Sequence, residues 1–358
     1  MASSGEVLHG SRSWIEAARG VSEGSPLADL QEAMLPMSCS VDEHAMAVPV
    51  FIGGCGRSGT TLLAASLGAH SKCLCVPESH FRLSLFRGMD GTEEGLSAEK
   101  IGREIGRHWS YRAWGLGHCL NRLLAEQSSR EPADVLGRLV FSYGQKQQNE
   151  VYQLWIDHTP TNVRYASRLN VLFPEARFIH IVRDGRAVAA SVLPLDWGPN
   201  TVAAAAKWWS ESLCYGLAAE SYIPEVKMTR VRYEDLVSDP AGVLRGLCAF
   251  LELEYEPKMV TGAGFDVPEF TKAQHSLVGE PPDVSRVDAW KGTLTPSQVA
   301  IFERLTADLL VMLGYSPACS QAETLEAKGD NPVVELLEVL LGLRNRLRIA
   351  RRRSRWLR

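Results

Sequence analysis

The chain has 358 residues, 45% of them apolar, a formal charge of −4 and eight cysteines. This composition supports a large folded core, excludes a bulk-disordered or collagen-like chain, and gives no general reason to expect nucleic acid as a partner. The cysteines follow no repeated spacing, and Cys73-Leu74-Cys75 lacks the second pair that a zinc site needs, so they read as thiols of a reducing cytoplasm.

In chain order, residues 1–45 mix small polar and acidic residues with little periodicity and read as an extension or lid. Val48 to Gly53 is a short apolar strand, the glycine-rich GGCGRSGTT is a turn, and Thr60 to Leu67 places Leu63 and Leu67 on one helical face. Residues 97–139 are helical in composition, with Trp109, Trp114 and Leu120 on packed faces. VYQLWID (151–157) and ARFIHIV (176–182) are further strands, and a helix begins near Gly185. Helix resumes from Thr201 to Tyr222, then KMTRVRY (227–233) alternates as a strand. Asp239-Pro240 opens a helix to Phe250, and Thr295, Pro296 and Gln298 supply a capping box for a helix to Leu313. Strands separated by helical crossovers predict one α/β domain over about 46–318, a mainly parallel central sheet with helices on both faces. A polar linker fills 319–331. In 332–358, Val333, Leu336, Leu337, Leu340, Leu341 and Leu347 recur at helical spacing, and eight arginines but no acid follow from Leu341 on. This basic amphipathic helix has three readings: a cap on its own domain, a contact between subunits of a homo-oligomer, or peripheral contact with an anionic membrane.

In VFIGGCGRSGTTLL, Gly53, Gly54, Gly56 and Gly59 let the backbone turn tightly enough to aim N–H groups at one anion, at the positive end of the next helix. Ser58, Thr60 and Thr61 add hydroxyls, and Arg57 adds a fork of charged N–H donors. Gly54 and Gly59 fit the register of G-x-x-x-x-G-K-[ST], but Thr60 stands at the lysine position, which argues against a magnesium–triphosphate arrangement. The loop resembles the phosphosulfate loop of sulfotransferases, which cradles the 5′-phosphate of 3′-phosphoadenosine-5′-phosphosulfate (PAPS) and carries lysine or arginine in the place of Arg57. The phrase FPEARFIHIVRDGRAVAAS resembles the second signature of that family, which implies Arg183 and Ser191 as the 3′-phosphate pair. Asp184 and Arg186 invite a local ion pair that supports the turn or faces solvent. RVRYEDLVSDP resembles the strand and turn near the adenine, placing Tyr233 beside the nucleotide or in its supporting wall. SRVDAWKGTLTPSQVAIF resembles the late segment that closes over the 3′-phosphate, with Trp290 and Lys291 as the residues that approach it and Arg286 as a lesser candidate. The resemblance covers residues 48–315.

On the acceptor side, CLCVPESHFR is similar to the region after the first helix in tyrosylprotein sulfotransferases and their bacterial relatives. That resemblance implies Glu78 as general base, with His80 as a second candidate. WIDHTPTN departs from the family: His158 occupies the position of a lysine expected to assist the leaving group. Either His158 keeps that role as an imidazolium, with greater pH sensitivity, or Arg57 carries most of it. The resemblance implies metal-free transfer of a sulfuryl group from PAPS to a hydroxyl, leaving 3′,5′-adenosine diphosphate. The acceptor is a phenol or alcohol of a small metabolite, glycan, lipid or tyrosine. Trp109, Trp114, Trp197, Trp208 and Trp209 are candidates for the acceptor cleft or for the core. The alternatives are a magnesium-dependent small-molecule kinase and a non-catalytic nucleotide-binding protein.

Overall fold

Four short apolar runs and one alternating segment become strands: β1 (Val48–Gly54), β2 (Cys73–Val76), β3 (Leu154–Asp157), β4 (Arg177–Val182) and the alternating β5 (Met228–Arg232). In the computed structural model, which describes residues 47–83, 98–125, 132–195, 197–267, 278–280, 282–320, 336, 339–344, 346–348 and 351, they form one sheet in the order β2-β3-β1-β4-β5. All four pairings are parallel. The expected N-terminal extension and most of the expected linker lie outside the described residues.

Alternation along each strand divides the core between the two faces of the sheet. Phe51, Leu74, Val76, Trp155 and Phe178 join one apolar cluster, while Val50, Ile52, Cys73, Cys75, Leu154, Ile156, Ile179 and Ile181 join another. A strand covered on both sides has no polar face, which is why these segments read as unbroken apolar runs. The first cluster is closed by helices α2 (Ala98–Gly106), α3 (Trp109–Trp114), α4 (Cys119–Ala125), α5 (Pro132–Lys146) and α6 (Ala166–Leu172). The second is closed by α1 (Thr60–Gly68) and, beyond β5, by α9 (Tyr233–Ser238) and α10 (Pro240–Phe250). Between β4 and β5 run α7 (Gly185–Val192) and α8 (Val202–Tyr222); α11 (Ser285–Asp288), α12 (Trp290–Thr293) and α13 (Pro296–Met312) follow. Both sequence-read starts hold: Asp239 accepts from the Gly242 amide, and Thr295 with Gln298 forms a reciprocal capping box.

Two boundaries and one strand depart from the sequence reading. β3 begins at Leu154 rather than Val151, since Val151 is exposed and has no sheet face to fill. Tyr233 does not continue β5 but opens α9. β2 carries no period of its own in the sequence, since four residues closed by Pro77 are too short to show one.

The connection from β1 to β2 passes over β3, whereas that from β4 leads the other way to β5. The C-terminal ends of β1 and β4 therefore flank a crevice at a topological switch point, the usual ligand position in an open parallel sheet. Its floor is braced by a polar network. Asp157, fully buried at the end of β3, accepts from Arg82 Nη1 at 2.9 Å, from the Thr159 amide at 2.8 Å, from Thr159 Oγ1 at 2.6 Å and from Ser79 Oγ. Arg82 also donates to Asn162, whose Nδ2 donates to the Ile52 carbonyl of β1 at 2.9 Å. The segment after β2, the end of β3 and the end of β1 are thereby locked together.

Burial alone would push the Asp157 carboxyl up, but the Arg82 guanidinium and the hydrogen bonds from Ser79 and Thr159 outweigh it and hold the group below its ordinary value of 3.8. Such a depression gives stability that is present above the unfolded value and lost as pH falls through the folded one. Asp157→Asn is expected to destabilise the fold at neutral pH by about 3–5 kcal/mol, because Arg82 stays buried without its counter-charge. It should also flatten the loss of stability on acidification; urea midpoints measured from neutral to acid pH check both, and unchanged midpoints would contradict the network's role.

Candidate active site

β1 ends where Gly54 meets β4 so closely that an added Cβ would lie 2.2 Å from the Ile181 carbonyl oxygen. The chain then turns through Cys55–Ser58, closed by the Ser58 amide donating to the Cys55 carbonyl at 3.1 Å. Arg57 adopts a left-handed φ of 69°, which costs a non-glycine residue about 1–3 kcal/mol. Gly59, at φ 96°, caps α1 with no side-chain bond to the first turn, so no side chain competes for the turn's amides. Gly56 lies under the edge of Trp208, with Trp197 beside it. Thr60 and Thr61 are buried at the start of α1.

The second signature arrives at the same point. Arg183 follows the last residue of β4; its Nη1 donates to the Arg57 carbonyl at 2.9 Å and its Nη2 to the Arg286 carbonyl at 3.1 Å. Its guanidinium lies 4.0 Å from the centroid of the Tyr233 ring, and Trp209 Nε1 donates to its carbonyl at 3.1 Å. Ser191, two turns into α7, accepts from Arg57 Nε at 3.1 Å. Arg57, Arg183 and Ser191 thus share one cleft, and Tyr233 forms its wall by backing both Arg183 and Gly59. Burial lowers the proton affinity of Arg57, and the like charge of Arg183 lowers it further; Arg183 is lowered by burial. Two desolvated cations facing one space favour an anion between them.

Glu78 lies on the loop after β2, a quarter exposed, with its Oε2 2.8 Å from His80 Nε2. Its charge raises the proton affinity of Arg57, of Arg82 and of His158, so its field reaches all three. Trp109 lies 5.2 Å, centroid to centroid, from the His80 ring. His158 is buried at 2% exposure, packed edge-on against Phe265 with centroids 4.9 Å apart. Burial pulls it below its ordinary value of 6.5 despite Glu78, Asp157 and a hydrogen bond to the Val76 backbone. The imidazolium considered from the sequence is therefore disfavoured; the neutral ring is the form at neutral pH.

Other sequence-read residues have structural surroundings. Arg186 is buried, not solvent-facing: it grips Asp184 at 2.7 Å and Glu303 at 2.5 Å, with its guanidinium 4.2 Å from the Trp290 ring. Trp290 packs with Ala187, Leu294 and Val299, while Lys291 is exposed and pairs with Asp288 at 2.8 Å. Trp114 and Trp209 belong to the core. Sequence reasoning missed Arg82, Asp157 and Asn162, and also Glu234, which accepts from the Asp184 amide at 3.0 Å and from the Tyr315 hydroxyl at 2.9 Å and so holds the turn after Arg183. The adjacency of Glu234 to Tyr233 in a recognised segment was the available signal. A separate cavity of about 970 Å³ opens among α2, α3 and α4 and shares no lining residue with this cleft.

The family model for "Sulfotransferase family" matches residues 49–257, from the strand before the loop to beyond the Tyr233 segment. The chain belongs to the sulfotransferase family. Similar proteins include protein-tyrosine sulfotransferase A of Caenorhabditis elegans, 23% identical over 288 residues (75% of this chain, 67% of that one). Nodulation protein NoeE of Sinorhizobium fredii is 28% identical over 302 residues, 76% of this chain and 67% of that one. Among solved structures, the sulfotransferase domain of the Synechococcus PCC 7002 olefin synthase superposes with a TM-score of 0.55 at 25% identity, over 76% of this chain and 97% of that domain. The sulfotransferase domain from the curacin biosynthetic pathway gives 0.51 at 22% identity, over 76% and 98%. The α/β sheet described above is thus the sulfotransferase fold, and the general chemistry is PAPS-dependent sulfuryl transfer.

The cleft of this sulfotransferase fits an anionic donor. Among the described residues, Ser58 Oγ and Arg183 Nε are buried without a hydrogen-bond partner. Buried donors of this kind beside two guanidinium groups suit a phosphate. The loop's backbone can be tested separately from its chemistry. Gly59→Ala would set a Cβ 2.6 Å from Tyr233 Cδ2 at a positive φ and is expected to cost about 1–3 kcal/mol in urea unfolding. Gly137→Ala in α5, whose Cβ would meet nothing within 4 Å, should be neutral or stabilising. Equal stability of the two variants would contradict the close packing of loop on wall.

Proposed function

We propose that this sulfotransferase moves the sulfuryl group of PAPS to a phenol or alcohol of a small metabolite, glycan, lipid or tyrosine by in-line displacement, with Glu78 as general base. The observation that carries the proposal is the convergence of Arg57, Arg183 and Ser191 on one cleft, with Glu78 close enough for its charge to act on Arg57. Gly56, Ser58, Gly59, Thr60 and Thr61, with Arg57, would hold the 5′ end of the donor, and Arg183 with Ser191 the 3′-phosphate. When bound, PAPS supplies a sulfuryl group on a phosphate able to depart with the bonding electrons. Tyr233 keeps Arg183 aimed. Trp290 acts from behind, by stacking on the Arg186 that pins Asp184, and Lys291 is the late-segment side chain offered to the 3′ end.

Arg57 carries the charge stabilisation of the departing phosphate, because its guanidinium remains a cation whereas His158 is buried and neutral. His158 positions the neighbouring backbone and packs Phe265. Glu78 takes the acceptor proton, with His80 at 2.8 Å able to orient the carboxylate and pass that proton outward. Protein-tyrosine sulfotransferase relatives act, by name, on a phenol, which supports keeping tyrosine among the acceptors.

Arg57→Ala is expected to lower turnover by roughly 10²–10³-fold, about 2.7–4 kcal/mol, the scale for losing one charge-stabilising donor. Glu78→Gln should fall similarly in rate while both variants keep wild-type circular dichroism; wild-type turnover in either withdraws its role. His158→Gln should leave the shape of the pH–rate profile above neutrality unchanged, and loss of an ionisation there would return the leaving-group role to His158.

A further inference from the structure

Residues 336, 339–344, 346–348 and 351 are helical, and this helix presents a sided surface. Leu336, Leu340, Leu343 and Leu347 recur at spacings of four, three and four, one stripe of a helix, and are 49–62% exposed. At about 100° per residue, Arg344, Arg348 and Arg351 fall along one flank of that stripe and Arg346 along the other; all four are exposed. The opposite side meets the domain: Leu341 and Gly342 are half-buried, and Asn200 Nδ2 donates to the Leu341 carbonyl at 2.8 Å. Leu341 turns toward the domain, but the stripe of Leu336, Leu340, Leu343 and Leu347 does not, so docking on its own domain leaves that stripe uncovered.

We infer that this leucine stripe with its arginine flanks docks the protein on the surface of an anionic lipid bilayer. Charge decides between bilayer and second copy. From Leu341 to Arg358 the sequence holds eight arginines and no acid, so two such helices side by side repel, whereas anionic headgroups attract each arginine. Arginine stems can lie along the apolar stripe with their heads at headgroup level while the leucines enter the acyl boundary. Among the described residues no helix is long and apolar enough to cross a membrane, which leaves an in-plane arrangement for this one.

The test is sedimentation of the full-length protein with vesicles of phosphatidylcholine alone and of phosphatidylcholine with phosphatidylglycerol, at low and high salt. The wild-type protein should partition onto the anionic vesicles only, and less at high salt. A variant with Arg344, Arg346, Arg348 and Arg351 all changed to alanine should lose roughly 100-fold or more in partitioning. The double variant Leu340→Asp, Leu347→Asp should lose binding at low salt as well. Absence of wild-type binding to anionic vesicles overturns the inference, as does equal binding by all three proteins. A solution oligomer that dissociates in the leucine variant would assign the stripe to a second copy and overturn it too.

Discussion

Arg183 donates to the backbone carbonyl of Arg57 across the gap between the ends of β1 and β4, and this single bond joins two segments more than 120 residues apart. It is possible because β1 and β4 are parallel neighbours whose connections diverge, so each releases its following loop on the same side of the sheet. The Arg57 carbonyl accepts it from within a left-handed turn, and the Arg57 side chain reaches Ser191. Two cations are then held in one half-buried space at an electrostatic cost that an anion relieves. The pairing of these two cations therefore rests on strand order as much as on the arginines themselves.

Holding such a cleft open requires rigidity beneath it, and the chain supplies this with buried polar groups rather than with more apolar packing. Arg82 and Asp157 fix the loop that carries Glu78 relative to β3, and Asn162 carries the connection into β1. On the other side, Glu234 and the Arg186–Asp184–Glu303 cluster fix the turn after β4. Buried ion pairs add little net stability compared with apolar residues, but removing one partner is severe, so they serve to specify one geometry.

The elements that bring Arg57 and Arg183 together were legible because each announces itself locally. The glycine spacing 53–59, the apolar runs before Arg57 and Arg183, and the proline-led helix starts at 240 and 296 depend on near neighbours alone. What the sequence concealed depends on distant partners. Arg82 in FRLSLF reads as a surface residue until Asp157, 75 residues on, is set beside it. His158 looked like a lysine substitute, and only packing against Phe265 shows an environment that disfavours charge. Trp290 could be read as touching ligand because its true neighbour, Arg186, lies more than 100 residues earlier. The two-sided character of the C-terminal helix was visible as periodicity, but which side met the domain required the Asn200 contact.

The central claim is that Arg57 and Arg183 form one site for a doubly phosphorylated adenosine. Thermal unfolding of the wild-type protein and of Arg183→Ala, each with 3′,5′-adenosine diphosphate or with ATP and magnesium, tests it directly. The account predicts a rise in melting temperature with the bisphosphate that exceeds the effect of ATP and magnesium and is lost in the variant. No stabilisation of the wild-type protein by the bisphosphate, or the same stabilisation after removal of the Arg183 guanidinium, would contradict it.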